Sequence, residues 1–183
     1  SFNVNGLRAR LHQLSKLIDK HSPEIICLQE TKVDNENFPM ESINELGYKA
    51  LINGQKGHYG VSTLYKSEPI KFQIGFPSDK DDAQCRLISS THQFVDKEVT
   101  IINGYFPQGE NRNHESKFPK KVKFYKDLRA HITKLQKSSS NIIVMGDFNV
   151  APEEKDIGIG ETNAKRWLRE GKCAFLPEEI EMW

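Results

Sequence analysis

The chain has 183 residues, 26 lysines and arginines against 25 aspartates and glutamates, a formal net charge of +1, and 37% hydrophobic residues. These proportions suit one domain with a sizeable core and exclude large-scale disorder. No stretch reaches the roughly 20 apolar residues of a membrane helix, and no basic-then-apolar leader opens the chain. Cys27, Cys85 and Cys173 are odd in number and lack a CxxC pair, which excludes a disulfide framework or thiolate zinc site and leaves a soluble cytoplasmic protein as the reading.

The chain opens on Ser1-Phe2-Asn3-Val4-Asn5-Gly6, read as a first strand end. Leu7, Leu11, Leu14, Leu17 and Ile18 recur at helical spacing, and the helix stops at His21-Ser22-Pro23, where proline disfavours helix in the residue before it. Residues 24–28 form an apolar strand that runs into Gln29-Glu30-Thr31-Lys32. A short helix near 40–46 closes at Gly47, a strand covers 48–52, and residues 54–57 turn. Strands over 58–65, 70–74, 86–95 and 99–104 follow without long helices between them, which predicts antiparallel pairing.

A helix over 119–136 puts Val122, Tyr125, Leu128, Ile132 and Leu135 on one face, with Pro119 in its first turn. A linker over 137–140 leads into the apolar strand 141–145 and Gly146-Asp147-Phe148-Asn149, and a last helix over 163–169 ends at Gly171. This order points to stacked sheets covered by helices in one domain.

Three strand ends therefore offer Asn3, Glu30 and the Asp147, Asn149 pair, the last two being two residues apart and so on the same side of their strand. Carboxylates and amides without thiol or imidazole are hard oxygen donors, suited to Mg²⁺ or Mn²⁺. Phosphodiester hydrolysis needs a cation, an activated water and donors to the phosphate. Glu30 with Asn3 is placed at the metal, Asp147 at the water, Asn149 beside Asp147, and Asn3 and Tyr105 as donors to phosphate, with Arg86 as a further clamp. Each has a plainer reading as Asx turn, solvated strand end, core tyrosine or surface ion pair, and the case rests on their combination.

Arg112, Lys117, Lys120, Lys121, Lys123, Lys126, Arg129, Lys134 and Lys137 crowd one segment, opposed only by Glu115 and Asp127. Such a stripe either meets a phosphate backbone or forms a solvated helix face. Arg166-Trp167 adds a second basic and aromatic element.

Four ordered stretches, Ser1-Phe2-Asn3-Val4-Asn5-Gly6-Leu7-Arg8-Ala9, Leu28-Gln29-Glu30-Thr31-Lys32, Asn103-Gly104-Tyr105-Phe106-Pro107-Gln108-Gly109 and Gly146-Asp147-Phe148-Asn149, resemble the exonuclease III family of AP endonucleases within the endonuclease/exonuclease/phosphatase superfamily. The resemblance runs from Ser1 to Trp183. It implies a four-layered α/β sandwich, two mixed or antiparallel sheets packed face to face and flanked by helices. It also implies a divalent metal, Mg²⁺ or Mn²⁺, and hydrolysis of duplex DNA: 3′→5′ exonuclease action, incision at abasic sites and removal of 3′ blocking groups.

By motif position, Glu30 binds metal, Asp147 activates water with Asn149 beside it, and Asn3 and Tyr105 engage the phosphate. Asn5 stands where many relatives carry an aspartate at the metal and is assigned to phosphate, with Arg86, Arg112, Lys117, Lys121, Arg166 and Trp167 as further DNA contacts. The family begins a few residues earlier and continues past Trp183 to an Asp-bearing motif and a Ser-Asp-His motif, so the chain is expected to be part of a longer protein. A monomer acting on double-stranded and abasic DNA, without a membrane, is the expectation. Its rivals are a superfamily phosphatase acting on inositol phosphates or phospholipid head groups, and a domain that holds DNA without cutting.

Overall fold

Successive residues of the strand β2, Ile25–Gln29, point to opposite faces of a sheet. Ile26 and Leu28 join Val4, Leu7, Leu14, Ile43 and Tyr48 on one face, while Cys27 meets Val99 and Ile101 on the other. The computed structural model describes residues 1–80 and 82–183, which divide into two compact units, Ser1–Tyr105 with Ile132–Asp147 and Phe106–His131 with Phe148–Trp183.

In the first unit β2 joins Phe2–Asn3 (β1), Lys49–Asn53 (β3) and Val61–Tyr65 (β4) in the order β1-β2-β4-β3. β1 runs parallel to β2, and β4 is antiparallel to both β2 and β3. Helices Leu11–His21 (α1) and Met40–Glu45 (α2) cover the Ile26 face through Leu14 and Ile43, each fully buried. Burying such a side chain stabilises by roughly 1.5–3 kcal/mol, which makes this apolar stripe the anchor of both helices. The first helical stretch is split into a 3-10 turn at Leu7–Ala9 and α1, and α1 stops where Ser22 turns left-handed at φ +43° before Pro23.

The second sheet holds Lys71–Ile74 (β5), Leu87–Phe94 (β6), Lys97–Tyr105 (β7) and Ile142–Asp147 (β8) in chain order. β5, β6 and β7 are antiparallel neighbours, whereas β7 and β8 are parallel. Between the sheets Gln29 Nε2 donates to Asn103 Oδ1 at 2.8 Å, and Asn103 Nδ2 donates to the Ser62 carbonyl at 3.0 Å. Both amides are buried and partnered, so the pair fixes the alignment of β2 over β7.

The predicted run of four antiparallel neighbours is corrected at one point, because β4 belongs to the first sheet and β5 to the second. Hydrophobic periodicity marks a strand but not its partner, and the polar turn 66–70 lets the chain change sheets. The strand predicted from His58 starts only at Val61, since Tyr59 and Gly60 have φ of +48° and +84°.

The second unit is built on the helix Lys117–Leu135 (α3), which it contains up to His131. Its buried face is Lys121, Phe124, Tyr125, Leu128 and His131, one residue round from the predicted face, with Val122 only half-buried. The Phe106 ring packs 4.9 Å from Phe124, 5.2 Å from Tyr125 and 4.7 Å from Phe148. Helices Glu161–Arg169 (α4) and Pro177–Met182 (α5) complete it; α5 is too short to show periodicity in the sequence. Among the described residues no helix is long and apolar enough to cross a membrane.

Candidate active site

Parallel pairing brings strand ends of like direction together, and among the described residues each sheet has one parallel pair. Asn3 lies opposite Gln29 at the ends of β1 and β2, and Tyr105 lies opposite Asp147 at the ends of β7 and β8. Asn3 Nδ2 donates to Glu30 Oε1 at 2.9 Å and to Asp147 Oδ2 at 2.8 Å. One amide thus joins a carboxylate from each sheet. Asn3 Oδ1 accepts the backbone N–H of Asn5 at 3.0 Å, so the amide keeps its nitrogen towards the acids.

The backbone turns sharply around this bridge. Asn5, Glu30 and Lys32 all have left-handed φ, at +43°, +52° and +52°. Non-glycine residues held there cost of order 1–3 kcal/mol and cluster at functional sites.

Glu30 is surrounded by donors. Lys32 Nζ lies 2.8 Å from Glu30 Oε2 and also donates to Asn5 Oδ1, and the Tyr105 hydroxyl hydrogen-bonds to the same carboxylate. Burial alone would raise the Glu30 pKa, but hydrogen bonds from Asn3, Lys32 and Tyr105 outweigh it and hold the group below its ordinary value. Burial and the neighbouring Glu30 push the Tyr105 hydroxyl well above its ordinary range, with Arg86 opposing. Tyr105 therefore stays a hydrogen-bond donor at neutral pH.

Arg86 is buried between two aromatic rings, its guanidinium carbon 4.2 Å from the Tyr59 centroid and 4.7 Å from that of Tyr105. Its Nη1 donates to the Tyr105 carbonyl at 2.9 Å and its Nε to Gln84 Oε1 at 2.7 Å, while Gln84 Nε2 donates to Tyr59 Oη at 3.0 Å. This cage fixes the Tyr105 backbone and ring together. Lys32 and Tyr59 stand in the Glu-Thr-Lys and His-Tyr-Gly stretches without an assigned role, and nothing in the sequence marks Gln84.

Asn149 lies in the second unit, outside β8 and with φ +50°, so the two-residue alternation of an extended strand does not reach it. Its Nδ2 donates to the Phe106 carbonyl at 2.9 Å, and its own carbonyl accepts from Lys121 Nζ at 2.7 Å. Lys121 corrects the sequence reading: with 0% exposure and an ion pair to Glu179 it does not face DNA. A lysine within a basic stripe reads as solvated, yet this one points inward from the apolar face of α3.

Arg112, Lys117 and Arg166 are exposed and paired with Glu178 at 3.1 Å, with Glu110, and with Glu170 at 3.9 Å respectively. Trp167 Nε1 donates to the Cys173 carbonyl at 2.9 Å, and the Lys172 ammonium stands 4.9 Å over its ring. Trp167 thus braces the end of α4. Asn5, exposed in part through its loop, has its side-chain oxygen on Lys32 and its carbonyl on Arg10.

Oxygen donors from Glu30 and Asp147 flank the Asn3 amide, and among the described residues no three His, Cys, Asp or Glu side chains gather into a cage. That set fits a hard divalent cation, which is commonly held by one or two carboxylates with water and substrate oxygens completing its shell. It does not suit structural zinc, which takes four Cys or His ligands in a closed tetrahedron.

The family model described as Endonuclease/Exonuclease/phosphatase family matches residues 1–179. The chain is 55% identical over 179 residues to Exodeoxyribonuclease III of Haemophilus influenzae, covering 98% of this chain and 67% of that protein. It is similar to a solved AP endonuclease from Archaeoglobus fulgidus, with a TM-score of 0.83 and 32% identity over 99% of this chain and 66% of that one. A structure of the 3′ phosphatase NExo from Neisseria bound to product DNA hairpin gives a TM-score of 0.86 and 29% identity over 98% of this chain and 66% of that one. The chain thus spans about two thirds of the length of each of these proteins.

Proposed function

Because this chain belongs to the endonuclease/exonuclease/phosphatase family, we propose that it serves a Mg²⁺-dependent DNA-repair nuclease of exonuclease III type in the bacterial cytoplasm. Its substrates on this reading are duplex DNA, attacked from 3′ ends, and duplex DNA carrying abasic sites or blocked 3′ termini. The observation that carries the proposal is the Asn3 bridge between Glu30 and Asp147, at 2.9 and 2.8 Å. The names of the Haemophilus, Archaeoglobus and Neisseria proteins support it.

Glu30 would hold a divalent cation, which would supply charge neutralisation at the phosphate and its leaving oxygen. Asp147 takes a proton from the attacking water. Asn3 keeps the two carboxylates in fixed orientation, which is a donor's role and not a metal ligand's. Tyr105, held protonated by burial and by Glu30, would turn its single O–H from the Glu30 carboxylate to a phosphate oxygen as negative charge develops there. The Gly146-Asp147-Phe148-Asn149 motif assigns Asn149 to orienting the water, and the exposed side chains Asn5, Arg112, Lys117 and Arg166 are each assigned to the DNA backbone, where lysines and arginines neutralise phosphates and position without reading sequence.

Replacing Asp147 by Asn tests the assignment. Turnover on duplex DNA is expected to fall by about 10²–10⁴-fold, the usual worth of a general base, while DNA affinity holds. Undiminished turnover would remove Asp147 from the role.

A further inference from the structure

Lys121 and Glu179 are both fully buried, an arrangement that charged side chains adopt only when paired. A buried ion pair is often replaceable by apolar side chains without loss of stability, so stability alone does not explain a lysine here. An ammonium has three donors in place of an apolar terminus. Those of Lys121 reach Glu179 Oε1, the Asn149 carbonyl at 2.7 Å and the Gln108 carbonyl at 3.3 Å.

We propose that Lys121 is a positioning residue for Asn149, an inference that rests on the functional reading above. Asn149 sits in left-handed backbone at φ +50°, which non-glycine residues hold only when their surroundings over-determine it. It is gripped at both ends, Nδ2 on the Phe106 carbonyl at 2.9 Å and its own carbonyl on Lys121. One turn along α3, Tyr125 Oη donates to the preceding carbonyl, that of Phe148, at 3.1 Å. Two residues four apart on one helix face therefore hold two consecutive carbonyls.

The far side of the grip is fixed as well. Glu179 Oε2 accepts the backbone N–H groups of Ala174 at 2.8 Å and Leu176 at 2.9 Å, which ties the ammonium to the start of α5. Gln108, whose carbonyl Lys121 also holds, lies two residues after the Phe106 carbonyl that receives the Asn149 side chain. Lys121 thus sets both the residue and the strand of chain it leans on.

The test compares the parent chain with Lys121→Met/Glu179→Gln, which removes the buried charges together, and with Glu179→Gln, which leaves the ammonium on its two carbonyls. The double variant is expected to melt cooperatively, with kcat on duplex DNA down about tenfold or more and KM within about threefold. Glu179→Gln alone leaves the buried ammonium without its counter-charge and is expected to melt lower, while at temperatures where it stays folded its kcat holds within about threefold. The side-chain amide resonance of Asn149 reports its position without any turnover, and it is expected to shift in the double variant and hold in Glu179→Gln. Parent-like kcat with an unmoved Asn149 resonance in the double variant would overturn the proposal. Absence of cleavage by the parent would count against the nuclease reading, while the resonance comparison would still decide the role of Lys121.

Discussion

Gly146 faces Gly104 across the parallel register of β7 and β8, so closely that a Cβ on Gly146 would lie 1.8 Å from the Gly104 carbonyl oxygen. The next pair in register is Tyr105 and Asp147. The two glycines therefore set the spacing at which the hydroxyl and the carboxylate are delivered. Gly146→Ala is expected to force the strands apart, at a cost at or above the usual 1–3 kcal/mol of overpacking, roughly. Urea unfolding reads this directly, and a parent-like midpoint would show that the two strands can separate freely.

Arg86 holds Tyr105 by its carbonyl and its ring, which separates it from the exposed cations. Arg86→Lys loses the planar fork and the stacking, so kcat should fall while the salt dependence of DNA binding stays that of the parent. Lys117→Ala should do the opposite, lowering the slope of log affinity against log salt by about 0.9 with little change in kcat. Exchanged outcomes would make Arg86 a phosphate contact.

How much of this was legible in the sequence depends on the kind of residue. The apolar approach to Glu30 announced a buried strand ending in an acid, because a strand covered on both faces is written as a continuous hydrophobic run, whereas the equally apolar approach to Asp147 belongs to a strand with no fully buried residue and with Ile143 47% exposed. Tyr105 was legible for the same reason. Lys121 was not, since burial of a lysine is decided by a distant glutamate, Glu179, and by carbonyls that composition does not reveal. The inter-sheet change between β4 and β5, and the left-handed turns at Glu30, Lys32 and Asn149, are likewise products of tertiary contact.

Asn3→Asp replaces the shared donor by a third acid. Each hydrogen bond to a charged group is worth about 1.5–3 kcal/mol, so the melting temperature in EDTA should drop. Added Mg²⁺ should then raise it by more than it raises that of the parent, because a ligand stabilises the state that binds it. Equal thermal shifts in both proteins would place the cation elsewhere.

Two groups at the site set limits on stability against pH. Tyr105 titrates above its ordinary 10.0 when folded, so its contribution is complete below that pH and is lost as pH rises beyond it. Glu30 titrates below its ordinary 4.5 when folded, so its contribution is present above that pH and is lost as pH falls towards the folded value. Denaturant unfolding across pH should show a flatter alkaline limb in Tyr105→Phe and a flatter acid limb in Glu30→Gln. Unchanged limbs would show that neither group is coupled to folding.

Incision of a duplex oligonucleotide carrying one abasic site, with and without Mg²⁺, tests the central claim most directly. The account predicts cleavage of the phosphodiester that requires the cation and is lost in Asp147→Asn. Cleavage that persists in EDTA, or that survives the substitution, would contradict it.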